Sequence, residues 1–173
     1  PFYVPLIFKI NIKQLIKSGA SFIVNSKQTK FDLQKYFKVD PSNIYVTYLG
    51  VDDTFSTKEI TRNDILDKYN IPQSYFLFTG SMNKRKNLDR VIEAFFKFKT
   101  KFKHNNVKLV LAGRMNWGGS QVEATVKKLG IEDKVLLPGY IEDKDLPFVI
   151  SCALSCIYVS LYEGFGFPAL EAM

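Results

Sequence analysis

What the sequence lacks narrows it first. No apolar run approaches the roughly 20 residues that a bilayer crossing needs. The opening Pro1-Phe2-Tyr3-Val4-Pro5-Leu6-Ile7-Phe8 is too short and runs into lysines at helical intervals, so neither a membrane span nor a signal peptide is read here. Cysteine occurs twice, as Cys152 and Cys156, four apart inside an apolar run, a spacing that fits neither a metal site nor a redox pair. These read as reduced core residues. Arginine is scarce, with only Arg62, Arg85, Arg90 and Arg114, so the formal charge of +7 is carried by lysines spread along the chain. Such a diffuse excess favours anionic ligands or an anionic membrane surface in general. Helix-turn-helix, zinc-finger and aromatic ribonucleoprotein patterns are absent, and no nucleic-acid partner is expected. The single histidine, His104, falls in a polar turn and is expected at the surface. Internal repeats and low-complexity tracts are lacking too.

What remains is the composition of a folded chain: 173 residues, 46% hydrophobic and 24% charged. Its apolar residues alternate between short β-branched or aromatic runs and longer amphipathic stretches, which means an α/β fold. Strands are predicted at 21–24, 44–48, 75–79, 107–112, 135–137 and 154–159, each nearly continuous in apolar character, as in parallel sheets buried on both faces. Helices are predicted at 7–18, 29–37, 62–69, 87–103, 120–129 and 143–151. The clearest is 87–103, where Leu88, Val91, Ile92, Phe95, Phe98 and Phe102 recur at threes and fours between lysines. Residues 50–57 lack periodicity and read as a linker or hinge. The absent initiator Met and the final Ala-Leu-Glu-Ala-Met173 suggest an internal segment of a longer protein.

In an open parallel sheet, ligands bind beyond the carboxyl ends of the strands. Those positions carry Gly80-Ser81, Gly113-Arg114, Pro138-Gly139-Tyr140 and Ser160-Leu-Tyr-Glu-Gly-Phe-Gly166, with a glycine at or just past three of the four strand ends. Lys84-Arg85-Lys86 precedes the long helix, so planar and point cations converge with a helix N-terminus in a way that suits a diphosphate. A basic run of three is, by pattern alone, more often a solvated turn, but its place at a strand's carboxyl end shifts the reading toward function. The last loop is more specific. Gly164 and Gly166 can expose backbone N–H groups to an anion, Pro168 suits the first turn of a helix, and Glu163 and Glu171 border the loop on either side. Asp143-Lys-Asp145 has the form of a metal-binding Asp-x-Asp, but it is read as the cap of the helix that follows, and no metal is expected.

Glu163-Gly-Phe-Gly-Phe-Pro-Ala-Leu-Glu171 resembles the Glu-x7-Glu motif of glycosyltransferase family 4, the glycosyl transferases group 1. Phe22-Ile-Val-Asn-Ser26, Ile44-Tyr-Val-Thr-Tyr-Leu-Gly-Val-Asp52, Phe76-Leu-Phe-Thr-Gly80, Arg85-Lys86-Asn87, Leu109-Val-Leu-Ala-Gly113 and Val135-Leu-Leu-Pro-Gly139 stand in that family's order and spacing, covering nearly the whole chain. The resemblance implies a GT-B fold. Residues 1–52 would be the tail of an acceptor-side Rossmann-like domain, 53–72 a hinge with a lead-in helix, and 73–173 the first part of a donor-binding Rossmann-like domain. It implies a nucleotide-diphospho-sugar donor, GDP- or UDP-linked, and a glycan or lipid-linked acceptor. It also places the protein in the cytoplasm, with peripheral association at the inner membrane face compatible with its lysines.

By the same resemblance Arg85 and Lys86 hold the donor diphosphate, with Gly80, Ser81 and Gly113 around it. Glu171 holds the ribose, and Tyr140 and Ile141 line the base site through their backbone. Glu163 with Gly164, Phe165, Gly166 and Phe167 holds the transferred sugar and its phosphate. Glu163, Arg85 and Lys86 are the catalytic candidates. Many members carry Arg where this sequence has Ser81. The implied reaction retains anomeric configuration through an oxocarbenium-like state, with charge growing on the departing diphosphate. The competing readings are a non-catalytic nucleotide- or partner-binding fragment and a GT-B phosphorylase, for which no lysine context suggests a pyridoxal site. The 173 residues alone are expected to bind a nucleotide diphosphate weakly or not at all and to transfer no sugar.

Overall fold

The structure, a computed structural model, describes residues 3–55, 63–103, 106–115 and 119–173, with the side chains of 3–5 and 63 outside the description. His104 and Arg62 therefore lie outside the described residues. The chain divides into two compact units, residues 1–50 and 51–173.

In the first unit, helix α1 (Tyr3–Lys17) precedes strand β1 (Phe22–Val24), helix α2 (Lys27–Phe37) and strand β2 (Ile44–Val46). The two strands pair in parallel, Phe22 opposite Ile44 and Val24 opposite Val46. Ser26 starts α2 because its hydroxyl accepts the Thr29 amide at 3.0 Å, which moves the helix start two residues ahead of the expected 29. Val24, Leu33, Val39 and Ile44 form the small buried core, with Ile12 and Ile16 of α1 against it.

The second unit opens with a short 3-10 turn at Asp53–Phe55, where the Asp52 carboxylate accepts the Thr54 amide at 2.9 Å. It continues through α3 (Asn63–Lys68), β3 (Tyr75–Thr79), α4 (Leu88–Lys101), β4 (Lys108–Ala112), α5 (Gly119–Leu129), β5 (Val135–Gly139), α6 (Leu146–Ser151), β6 (Ser155–Cys156) and α7 (Phe167–Glu171). Its four strands form a parallel sheet in the order β5-β4-β3-β6.

Side chains along these strands point alternately to two faces, and each face has its own core. Phe78, Leu109 and Leu111 meet the apolar stripe of α4 (Leu88, Val91, Ile92, Phe95) and Val122 and Val126 of α5. Tyr75, Leu77, Val110 and Ala112 meet Ile65 and Leu66 of α3 and Val149 of α6. Burying each large apolar side chain contributes about 1.5–3 kcal/mol, so a central strand packed on both sides explains the uninterrupted apolar runs of β3 and β4. Tyr75 is fully buried and donates to the Val149 carbonyl at 2.6 Å, which satisfies the one polar atom it brings inside.

Two expectations are corrected here. The strand expected at 154–159 forms a ladder only over Ser155–Cys156, because it lies at the sheet's edge among the described strands and pairs with β3 alone. Beyond it, the Ile157 amide still donates to Leu77 at 2.7 Å, after which the chain leaves the sheet. The helix expected from 143 begins at Leu146 with Pro147 in its first turn, and Asp145 makes no side-chain capping bond. Its carboxylate instead accepts Lys68 Nζ at 2.7 Å and the Tyr69 hydroxyl at 2.8 Å.

Candidate functional site

The carboxyl ends of β3, β4 and β5 finish on Gly80, Gly113 and Gly139, all with positive φ. The strand ends are drawn very close. Gly80 N donates to Ala112 O at 3.0 Å, and Gly113 N donates to Gly139 O at 2.7 Å. A Cβ on Gly113 would lie 2.0 Å from the Gly80 carbonyl oxygen, so no side chain fits there, and the φ of 139° is strained for any other residue. The three glycines make a rim of bare backbone.

Next to this rim lies a cleft of about 320 Å³, lined among others by Ser81, Arg114, Tyr140, Ile141, Asp143 and Glu171. Gly80, Gly113 and Pro168 also reach it. Of the residues singled out in the sequence, Gly80, Ser81, Gly113, Tyr140, Ile141 and Glu171 thus meet in one place. Ile141 is buried, whereas Tyr140 keeps about half its surface exposed. Burial, with a smaller contribution from the negative charge of Asp143, pushes the Glu171 carboxyl above its ordinary range.

A second group gathers on Glu163. Its two carboxylate oxygens face Arg85 Nη1 and Lys86 Nζ, the latter at 2.8 Å, across nearly eighty residues of sequence. Arg85 also donates to the Tyr162 carbonyl at 2.9 Å. Burial alone would push the Glu163 carboxyl up, but Lys86, Ser160 and Arg85 together outweigh it and hold the group at about 2. It is a fixed anion at any ordinary pH. The basic run is divided: Lys84 and Arg85 are exposed, as in a solvated turn, but Lys86 is buried, folded into a 3-10 turn that leads into α4.

Gly164, Phe165, Gly166 and Phe167 carry the chain between the two groups without lining the cleft. Gly166, with φ 100°, precedes α7, and Pro168 sits in the first turn of that helix, which brings Glu171 to the cleft one turn later. The rings of Phe165 and Phe167 pack 5.4 Å apart.

Three contributors were given no role from the sequence, although Ser160 and Arg114 stood in its strand-end segments. Tyr158, hidden there in a run read as a core strand, places its ring 5.0 Å from Lys86 Nζ and stands 3.6 Å from where a Cβ on Gly166 would project. Its hydroxyl and that of Ser160 are buried near the Glu163 carboxylate and interact with it without a well-aligned hydrogen bond. Arg114 lies over the Tyr140 ring at 5.2 Å. Its place directly after a strand-end glycine was the signal available for it.

Both acids of Asp143-Lys144-Asp145 are committed to protein partners, Asp143 to the Tyr140 hydroxyl at 2.6 Å and Asp145 to Lys68 and Tyr69. Among the described residues no group of three His, Cys, Asp or Glu side chains is placed to hold a metal ion, and no helix is long and apolar enough to cross a membrane. Both cysteines are free thiols.

Comparison with known proteins fits this geometry. The sequence profile of the glycosyl transferases group 1 matches residues 61–173. The O-antigen chain mannosyltransferase B of Escherichia coli is 34% identical over 94% of this chain, which spans 43% of that protein. Among solved structures, a glycosyltransferase from Rickettsia africae superposes with a TM-score of 0.75 at 22% identity, over 98% of this chain and 46% of its own. Anabaena HepE, solved in complex with UDP-glucose, gives 0.71 at 17% identity over 95% and 46%. These structural likenesses establish the α/β fold with parallel sheets seen in GT-B glycosyltransferases. The chain spans less than half the length of each of these proteins. On the profile match and the 34% relative together, it belongs to the glycosyl transferases group 1 family.

Proposed function

We propose that this chain supplies the donor side of a retaining glycosyltransferase that moves a hexose, mannose or glucose, from a GDP- or UDP-sugar to a glycan or lipid-linked acceptor in polysaccharide or glycoconjugate synthesis. In this reading residues 73–173 are the first part of the donor domain, and residues 1–52 belong to the acceptor-side domain. The observation that carries it is the pairing of a two-cation cluster, Arg85 and Lys86, with Glu163 in a loop whose other end delivers Glu171 to a cleft at the strand ends.

In that arrangement Arg85 and Lys86 take the diphosphate and stabilise the charge that grows on it as the glycosidic bond breaks. Glu163, already paired with both cations, is a poor nucleophile. Its role is to hold the sugar and orient the cations, while a phosphate oxygen receives the acceptor's proton. Glu171 accepts the ribose hydroxyls, and Tyr140 and Ile141 flank the base. Likeness to the Escherichia coli mannosyltransferase favours mannose. No step in this scheme requires a metal.

Titrating the protein with UDP, GDP and ADP tests the reading. At least one should bind, weakly, and Glu171→Ala should reduce that affinity about tenfold, the equivalent of ~1.4 kcal/mol. Equally negligible binding by both proteins would remove the donor-site assignment.

A further inference from the structure

Among the described residues, four buried side-chain oxygens lack a hydrogen-bond partner, and three of them, Tyr158 Oη, Ser160 Oγ and Glu163 Oε1, gather around the Glu163 carboxylate. Glu163 Oε1 lies 2.8 Å from Lys86 Nζ but receives no well-aligned hydrogen bond from it. A buried polar atom left unpaired destabilises the fold, so three in one place call for a use that offsets them.

The segment that carries Tyr158 and Ser160 is held on both sides. Ile157 N donates to Leu77 O at 2.7 Å, Asn87 Nδ2 to Val159 O at 3.1 Å, and Leu161 N to Arg85 O at 2.8 Å. In that frame the Tyr158 ring centroid stands 5.0 Å from Lys86 Nζ, and the same ammonium lies 3.8 Å from where a Cβ on Gly80 would project. Lys86 is thus boxed between an aromatic ring and the glycine rim that lines the cleft. An ammonium has three N–H donors, and a ring face stabilises its charge without consuming any of them. Burial, followed by the negative charge of Glu163, pushes the Tyr158 phenol above its ordinary range, so its proton is retained for donation.

From this geometry we infer that Tyr158 is a positioning residue for the diphosphate site: its ring holds the Lys86 ammonium at the rim, and its hydroxyl, with that of Ser160, takes over Glu163 Oε1 when Lys86 turns to an incoming phosphate. This rests on the donor-site reading above and deepens it. The unpaired oxygens are then partners in reserve. They let Lys86 change partner without leaving a buried carboxylate oxygen bare, while Arg85 keeps its hold on the other oxygen.

The test titrates wild type, Tyr158→Phe, Tyr158→Leu and Glu171→Ala with inorganic pyrophosphate, UDP and GDP, read by NMR chemical-shift changes, which follow weak affinities. Denaturant unfolding of the unliganded proteins accompanies it. Tyr158→Phe should weaken all three ligands about three- to tenfold, the scale of one net hydrogen bond. Its unfolding midpoint should nevertheless stay level or rise, because the hydroxyl removed is unpaired without ligand. Tyr158→Leu should weaken binding about a further two- to fivefold through loss of the ring face. In a Glu163→Ala background Tyr158→Phe should have no further effect on binding, since the hydroxyl acts through that carboxylate. Wild-type affinity in Tyr158→Phe, a loss of equal size in the Glu163→Ala background, or a lowered midpoint would each reduce Tyr158 to packing and overturn the inference. If Glu171→Ala still weakens UDP or GDP, that outcome leaves the donor site standing. Failure of all three ligands to bind wild type would instead defeat the site reading, and the inference with it.

Discussion

Glu163 and Glu171 are the same residue at the two ends of one loop, and their surroundings drive them in opposite directions. Glu163 is burdened by burial but surrounded by Lys86, Ser160 and Arg85, which leave it ionised down to about pH 2. Glu171 is burdened by burial with no cation to compensate, beside the like charge of Asp143, and holds its proton more readily than a free glutamate. The difference follows from the strand ends each one faces. One end of the loop lies against the basic turn after β3, and the other against the largely apolar cleft wall formed by Ile141 and Leu146. A permanent anion suits a site where cations must be held in register. An acceptor with a weaker hold on its charge suits one where neutral hydroxyls bind.

The largest effect that separates the two comes from Glu163→Gln. In a chain that also carries a complete acceptor-side domain, removing the charge that aligns Arg85 and Lys86 should lower sugar transfer about 10²–10³-fold, the scale of losing one preorganised electrostatic group, measured as turnover of the nucleotide sugar. The same variant should lose about 1–2 kcal/mol of stability at neutral pH by denaturant unfolding. The sign follows from the direction of the shift: a carboxyl held below its ordinary 4.5 contributes stability above that value, which disappears as pH falls toward 2.

A second variant probes the rim that both acids share. Gly113→Ala places a methyl group on the Gly80 carbonyl at a φ that favours glycine, and should cost at least about 2 kcal/mol in the same unfolding measurement, whichever acid is present. Retention of full stability would show that the strand ends are less constrained than their geometry implies.

Glu171→Gln should behave in the opposite sense to Glu163→Gln. A carboxyl whose value is raised in the folded protein destabilises it once ionised, so stability declines as pH rises through that value, and the neutral amide should recover a small amount near pH 7. Its nucleotide affinity should nevertheless fall, by about tenfold. In wild type, nucleotide affinity should weaken as the pH drops through the raised Glu171 value, while Glu163 remains charged. Calorimetric titrations between pH 4 and 7 would record it, and a flat profile would contradict the ribose role.

The smallest effect is expected from Tyr69→Phe. The Tyr69 hydroxyl accepts the Glu142 amide at 3.1 Å and donates to Asp145, pinning the cleft segment to α3. Its loss should cost about 1 kcal/mol and speed amide hydrogen exchange at Glu142.

Much of this was legible in the sequence, because continuous apolar runs and strand-end glycines are local signals. Strand β3 falls where its pattern placed it, and the Gly80, Gly113 and Glu171 positions converge as the strand order requires. Residues 154–159 misled because an apolar run gives the chain's extension but not the number of its neighbours, and β6 has one paired strand. Asp145 looked like a cap because its spacing from Leu146 is local, whereas the partners that captured it, Lys68 and Tyr69, lie more than seventy residues away. The Arg114–Tyr140 stack and the Tyr158 ring over Lys86 were invisible for the same reason: side chains on separate strands meet only once the sheet is assembled.

The glycine rim has a further consequence for how such a site can change. Gly80, Gly113 and Gly139 offer no side chain to alter, so the frame resists drift, while Ser81, Arg114 and Tyr140 hang from it one position further on like teeth on a comb. Each tooth can be exchanged without disturbing the packed layers behind the frame. New ligand preferences can therefore arise by single substitutions at these three positions, each tested against the same unmoving backbone.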